Sequence, residues 1–96
     1  MFGFDHTRNY DRARILEAAM HARAHKKRDR AISLYRRVIA VERHDPDLHA
    51  RIAPLLAETG QYFDAWVSYR ITARACLRAG RGDRALAIYR EAACAW

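Results

Sequence analysis

Arg70, Arg74 and Arg78 stand four residues apart, so on a helix they form a single charged stripe. A guanidinium offers paired hydrogen bonds to a carboxylate or a phosphate. The stripe is therefore the strongest candidate for a chemical role, the grip on an acidic peptide or C-terminus. Its competing reading is a solvated helix face. A second basic cluster, His25-Lys26-Lys27-Arg28 with Arg30, suits non-specific contact with phosphates. It lacks the interleaved aromatics on which single-strand readers stack bases, so nucleic-acid binding is the weaker expectation. His21 and His25 have an i, i+4 metal-ligand spacing, but no Glu lies between them and Lys26, Lys27 and Arg28 repel a cation. Asp45 and Asp47, between His44 and His49, are explained by a capping turn around Pro46. Cys76 lies two residues from both Arg74 and Arg78, which would lower a thiol pKa, yet core packing is its commoner use. The chain has no glycine-rich phosphate loop, no paired carboxylates on an apolar face and no nucleophile with an evident base. The expectation is a non-enzymatic protein that uses neither metal nor cofactor.

The elements that must position these residues are helical. Ninety-six residues make one domain at most. The hydrophobic fraction is 51%, much of it Ala, whose methyl lets helices approach closely; Gly numbers 4 and Pro 2. No run of β-branched residues alternates with polar ones, which argues against a sheet. The net charge of +7 is almost all Arg, with Lys only at 26 and 27, and favours an acidic partner or a merely solvated basic surface. Two cysteines, Cys76 and Cys94, are too few for a disulfide scaffold and read as buried or partly buried free thiols. Residues 1–9 form an extension without the pattern of a signal peptide, and no stretch approaches the roughly 20 apolar residues of a membrane span. A cytoplasmic location follows as the expectation.

Five segments carry helical periodicity, within a domain of residues 10–96. They run from about Tyr10 to Ala24, Asp29 to Val41, Asp47 to Thr59, Tyr62 to Ala79, and Asp83 to Ala95. Asp45 before Pro46 marks a helix start, Pro54 should kink or delay the third helix, and Gly60 should close it. Gly80 and Gly82 read as the next turn, with Asp83 as cap of the fifth helix.

Three stretches resemble one another: Arg30-Ala31-Ile32-Ser33-Leu34-Tyr35-Arg36, Asp64-Ala65-Trp66-Val67-Ser68-Tyr69-Arg70 and Arg84-Ala85-Leu86-Ala87-Ile88-Tyr89-Arg90. Each has a small residue, an aromatic four later and then Arg. Ala31 to Ala65 and Tyr35 to Tyr69 are both steps of 34 residues, the period of the tetratricopeptide repeat. From about Arg12 onward the chain resembles that family. Its second-helix pattern of small, aromatic and small residues matches Ala31, Tyr35 and Val38, then Ala65, Tyr69 and Thr72, then Ala85, Tyr89 and Ala92. Its first-helix positions, matched by Ile15, Ala18, Ala19 and Ala22 and by His49, Ile52, Ala53 and Leu56, are degenerate. The step from Ala65 to Ala85 is only 20 residues, so in such a repeat the fourth helix would be expected to serve twice.

The resemblance implies an all-α solenoid of about five antiparallel helices arranged as helical hairpins. It further implies that Arg70, Arg74 and Arg78, with Arg23 on the first helix, line a groove that holds a peptide. The Lys-and-Asn arrangement of chaperone-binding members is absent. Stacked repeats need polar ends, whereas Leu86, Ile88, Ala93 and Trp96 exceed what the fourth helix alone can cover. Self-association, docking on a larger assembly, or cover by Phe2 and Phe4 would account for them. The reading is a protein-binding adaptor; a structural subunit or homo-oligomer is the alternative, and a basic nucleic-acid-binding repeat the third.

Overall fold

The computed structural model describes residues 10–95, which form five α-helices. These are α1 (Arg12–Ala24), α2 (Arg28–Ile39), α3 (Pro46–Glu58), α4 (Tyr62–Arg78) and α5 (Gly82–Cys94). No strand occurs among the described residues. Phe2, Phe4 and Trp96, and with them the 1–9 extension, lie outside that range. Close backbone approaches run only between consecutive helices, so α4 packs on both α3 and α5. Among the described residues no helix is long and apolar enough to cross a membrane.

The periodic apolar residues become the core. Ala31, Tyr35 and Val38 of α2 are buried, as are Leu48, Ile52, Ala53, Leu55 and Leu56 of α3. Ala65, Tyr69 and Ala73 bury the inner face of α4. Fully covered alanines at 19, 31, 53, 73 and 92 mark where backbones come closest. On α5 only Ala85 and Ala92 are buried. Tyr89, the third repeated aromatic, is half-buried and lies against Trp66, ring centroids 6.0 Å apart.

Three of the four connections have one design. Lys27 N–H donates to the Ala22 carbonyl, Gln61 to Leu56 and Arg81 to Cys76, at 2.9, 2.8 and 2.8 Å. The preceding residue donates in parallel: Lys26 to Arg23, Gly60 to Ala57 and Gly80 to Leu77, at 3.0, 3.1 and 3.0 Å. This pair of bonds closes a helix when the residue after its cap turns left-handed. Gly60 and Gly80 do so at φ +82° and +76°, and Lys26 does so at φ +61° without glycine's freedom.

Three details differ from the sequence expectation. Asp45 caps α3, accepting from Asp47 and Leu48 N–H, and Pro46 opens it; but Pro54 neither delays nor divides that helix. Gly82 starts α5 instead of belonging to the turn, so Asp83 lies in its first turn and does not cap it. A left-handed Gly80 already reverses the chain, leaving Gly82 free to be helical. Cys94 is exposed, whereas Cys76 is half-buried; both are free thiols.

Candidate functional site

The arginines divide into two groups. Several pair across elements at the surface: Arg12 Nε donates to Glu42 at 2.5 Å, Arg28 Nε to Glu58 at 2.7 Å, and Arg36 to Gln61 and Asp64 at 3.0 and 3.1 Å. Arg70, Arg74 and Arg78 belong to the other group. They are exposed on α4, opposite its buried Ala65, Ser68, Tyr69, Thr72 and Ala73. Among the described residues no carboxylate pairs with them. Like charges at i, i+4 destabilise a helix by about 0.2–0.5 kcal/mol per pair. The chain carries that repulsion twice along α4 with no internal compensation.

The surroundings of the stripe are apolar. Phe63 is 72% exposed and Leu77 is 53% exposed, and Val67 is half-buried between them. In chain order Phe63, Val67, Arg70, Arg74 and Leu77 are separated by 4, 3, 4 and 3 residues. That spacing keeps all five on one side of α4 over about 21 Å at 1.5 Å per residue. Reading α4 with a period of 3.5 residues as well as 3.6 would have revealed this seam from the sequence.

Arg23 is exposed on α1, which makes no close backbone approach to α4, so the fold does not bring it into the stripe. The stripe lies on the open surface of α4 and lines none of the clefts between helices described next. One such cleft, about 350 Å³, lies between α3, α4 and α5, lined by Pro46, Asp47, Thr72, Cys76, Arg81 and Arg84. Another, about 530 Å³, is formed by Ile15, Ala18 and Leu34 with Arg14, Arg30 and Arg37. On α5, Leu86 is 51% exposed and Ala93 is exposed, while Ile88 is partly buried against the core.

The histidines serve local structure. His25 Nδ1 is 2.9 Å from the His21 carbonyl, and the two rings lie 4.1 Å apart. Among the described residues no group of three metal-ligating side chains assembles. His49 is buried, with Nε2 2.7 Å from the Arg43 carbonyl and Nδ1 2.8 Å from Ser68 Oγ. A carbonyl only accepts, so Nε2 carries the proton, and in the neutral ring Nδ1 accepts from the Ser68 hydroxyl. This contact ties the α2–α3 connection to α3 and α4. Sequence reading missed it because its partners are 19 positions apart on different helices.

Tyr69 donates to Glu91 Oε2 at 3.0 Å, linking α4 to α5. Burial, then the hydrogen bond to Glu91, raises the phenol pKa well above its ordinary value. No protein-family model matches the chain, and no curated protein or solved structure matches it.

Proposed function

We propose that this chain is a non-enzymatic protein-binding module, an adaptor that holds an acidic segment of a partner protein on the outer face of α4. The single observation carrying the reading is the unpaired Arg70–Arg74–Arg78 stripe set among exposed apolar side chains. Arg12, Arg28 and Arg36 find carboxylates at 2.5–3.1 Å, so the chain can neutralise such groups internally. Where it leaves them open beside Phe63 and Leu77, a partner supplies the charge. An apolar and Arg-rich surface is typical of the central part of a protein interface.

The 34-residue step, the three similar turns and the packing of each helix on its chain neighbours support a tetratricopeptide-like solenoid arrangement. In that arrangement α4 is shared by two repeats. The protein would work in the cytoplasm, as an attachment point and not as a catalyst.

The test is binding of an array of labelled random peptides to the purified chain at low and moderate salt. Peptides combining Asp or Glu with apolar residues should be retained. The double variant Arg70→Glu/Arg74→Glu should lose about tenfold or more in affinity, since it removes two attractions and adds two repulsions. Circular dichroism should show unchanged helicity. Equal retention by the variant would refute the assignment of the stripe.

A second reading, a structural subunit that self-associates, draws on Leu86 and Ala93, exposed on a helix that buries only two alanines. A chain that stays monomeric over a wide concentration range in light scattering would exclude it.

A further inference from the structure

The binding module proposed above leaves open what form its partner takes. We infer that the segment docking on α4 is itself a helix, carrying two acidic residues at the centre of its contact stripe and apolar residues at the ends. This inference rests on the assignment of the Arg stripe as a binding face.

The first argument is spacing. Phe63, Val67, Arg70, Arg74 and Leu77 recur at 4, 3, 4 and 3 residues, the interval at which one helix meets another lengthwise. Arg78 and the half-buried Ile71 border the seam on one side, and Trp66 borders it on the other. A partner helix would lay its apolar side chains against Phe63, Val67 and Leu77 and its carboxylates against Arg70 and Arg74.

The second argument concerns the backbone. An extended peptide is recognised at a sheet edge or in a groove lined for its side chains. The outer face of α4 is a continuous helix whose own backbone groups are satisfied, and Arg70, Arg74 and Arg78 line none of the clefts described above. A helix satisfies its own backbone and needs only side-chain contacts.

The third argument is charge. A second copy of this chain, docked through α4 in either direction, would set Arg70 and Arg74 against arginines of the other copy. The same seam rejects itself and accepts a helix with Glu or Asp at those two positions.

The experiment uses two fluorescein-labelled 21-residue peptides and the full chain, followed by anisotropy at low salt. The first peptide places Leu and Glu at the complementary 4-3-4-3 positions of a helix-forming sequence. The second has the same composition except for two central prolines that prevent the helix. The helical peptide should bind, and the proline peptide should bind at least about tenfold more weakly. Arg70→Glu/Arg74→Glu should weaken the helical peptide by a similar factor, and replacing its Glu residues by Lys should restore binding to that variant. If the proline peptide binds as tightly and still depends on Arg70 and Arg74, the helix inference falls while the acidic-partner reading stands. If neither peptide binds, or charge reversal changes nothing, both fall. An oligo-dT strand binding more tightly than either peptide would assign the stripe to nucleic acid and overturn both.

Discussion

The left-handed residue at the α1–α2 turn invites a direct energetic test. Lys26 occupies at φ +61° the place that Gly60 and Gly80 take in the two later turns, with the same pair of backbone hydrogen bonds. For a residue with a Cβ that conformation costs roughly 1–2 kcal/mol, and glycine avoids it. Glycine in turn loses about 0.5–1 kcal/mol more in conformational entropy on folding. The difference predicts that Lys26→Gly stabilises the protein by about 0.5–1 kcal/mol. In a domain of this size that raises Tm by roughly 2–8 °C. The reverse change, Gly60→Ala, should lower stability by a similar amount. A Cβ built on Gly60 meets nothing within 4 Å, so the loss would report backbone conformation and not a clash. Urea unfolding followed by far-ultraviolet circular dichroism measures both. Lys26→Ala is the control, because it removes a charge from the His25-to-Arg28 cluster while keeping the Cβ. The reasoning fails if Lys26→Gly lowers the midpoint, or if Lys26→Ala raises it equally. The double variant Lys26→Gly/Gly60→Ala should return close to wild type, since the two turns share no hydrogen-bond partner.

Three further outcomes follow from other contacts. His49→Ala should cost about 2–4 kcal/mol in urea unfolding, because it opens a cavity and strands the Ser68 hydroxyl and the Arg43 carbonyl; a loss no larger than that of an exposed surface substitution would contradict this role. Tyr69 has a folded-state pKa above its unfolded value near 10.0, so the folded chain binds its proton more tightly. Stability should therefore hold below pH 10 and fall as pH rises above it. In Tyr69→Phe that alkaline loss should be smaller, although the bond to Glu91 is gone at every pH. Leu86→Glu should change stability by no more than about 0.5 kcal/mol, given 51% exposure. Should light scattering reveal an oligomer, the same variant should dissociate it.

Much of the fold was legible because its signals are local. Ala31, Tyr35 and Val38 sit three and four apart, and helical geometry alone puts them on one buried face. Asp45 before Pro46 is a complete helix-start signal within two residues. Gly82 misled because glycine in sequence does not declare whether it reverses a chain or opens the next helix; Gly80 had already made the turn. The effect of Pro54 also depended on context, because tertiary packing sustains α3 through it. As for the candidate site, the spacing of Arg70, Arg74 and Arg78 was plain. Their lack of internal carboxylates was not, since Arg28 and Arg36 reach acids 30 and 28 positions away and look no different in sequence. The position of Arg23, remote from α4, likewise depends on how the helices stack.

Because each helix packs closely only on its neighbours in the chain, no distant segments must find one another before the core forms. The side-chain hydrogen bonds of longest range, Arg12 to Glu42 and Arg28 to Glu58, span 30 positions, and Arg12 also lies 3.7 Å from the Asp45 carboxylate. Chains dominated by such short loops refold in microseconds to milliseconds. The same topology makes the order of opening unequal. Helix α5 rests on a single neighbour and anchors itself with Ala85 and Ala92, so its amides should exchange with solvent first, through openings that leave α2 and α3 intact. Helix α5 would thus come and go on a timescale of its own while the α4 seam stays formed.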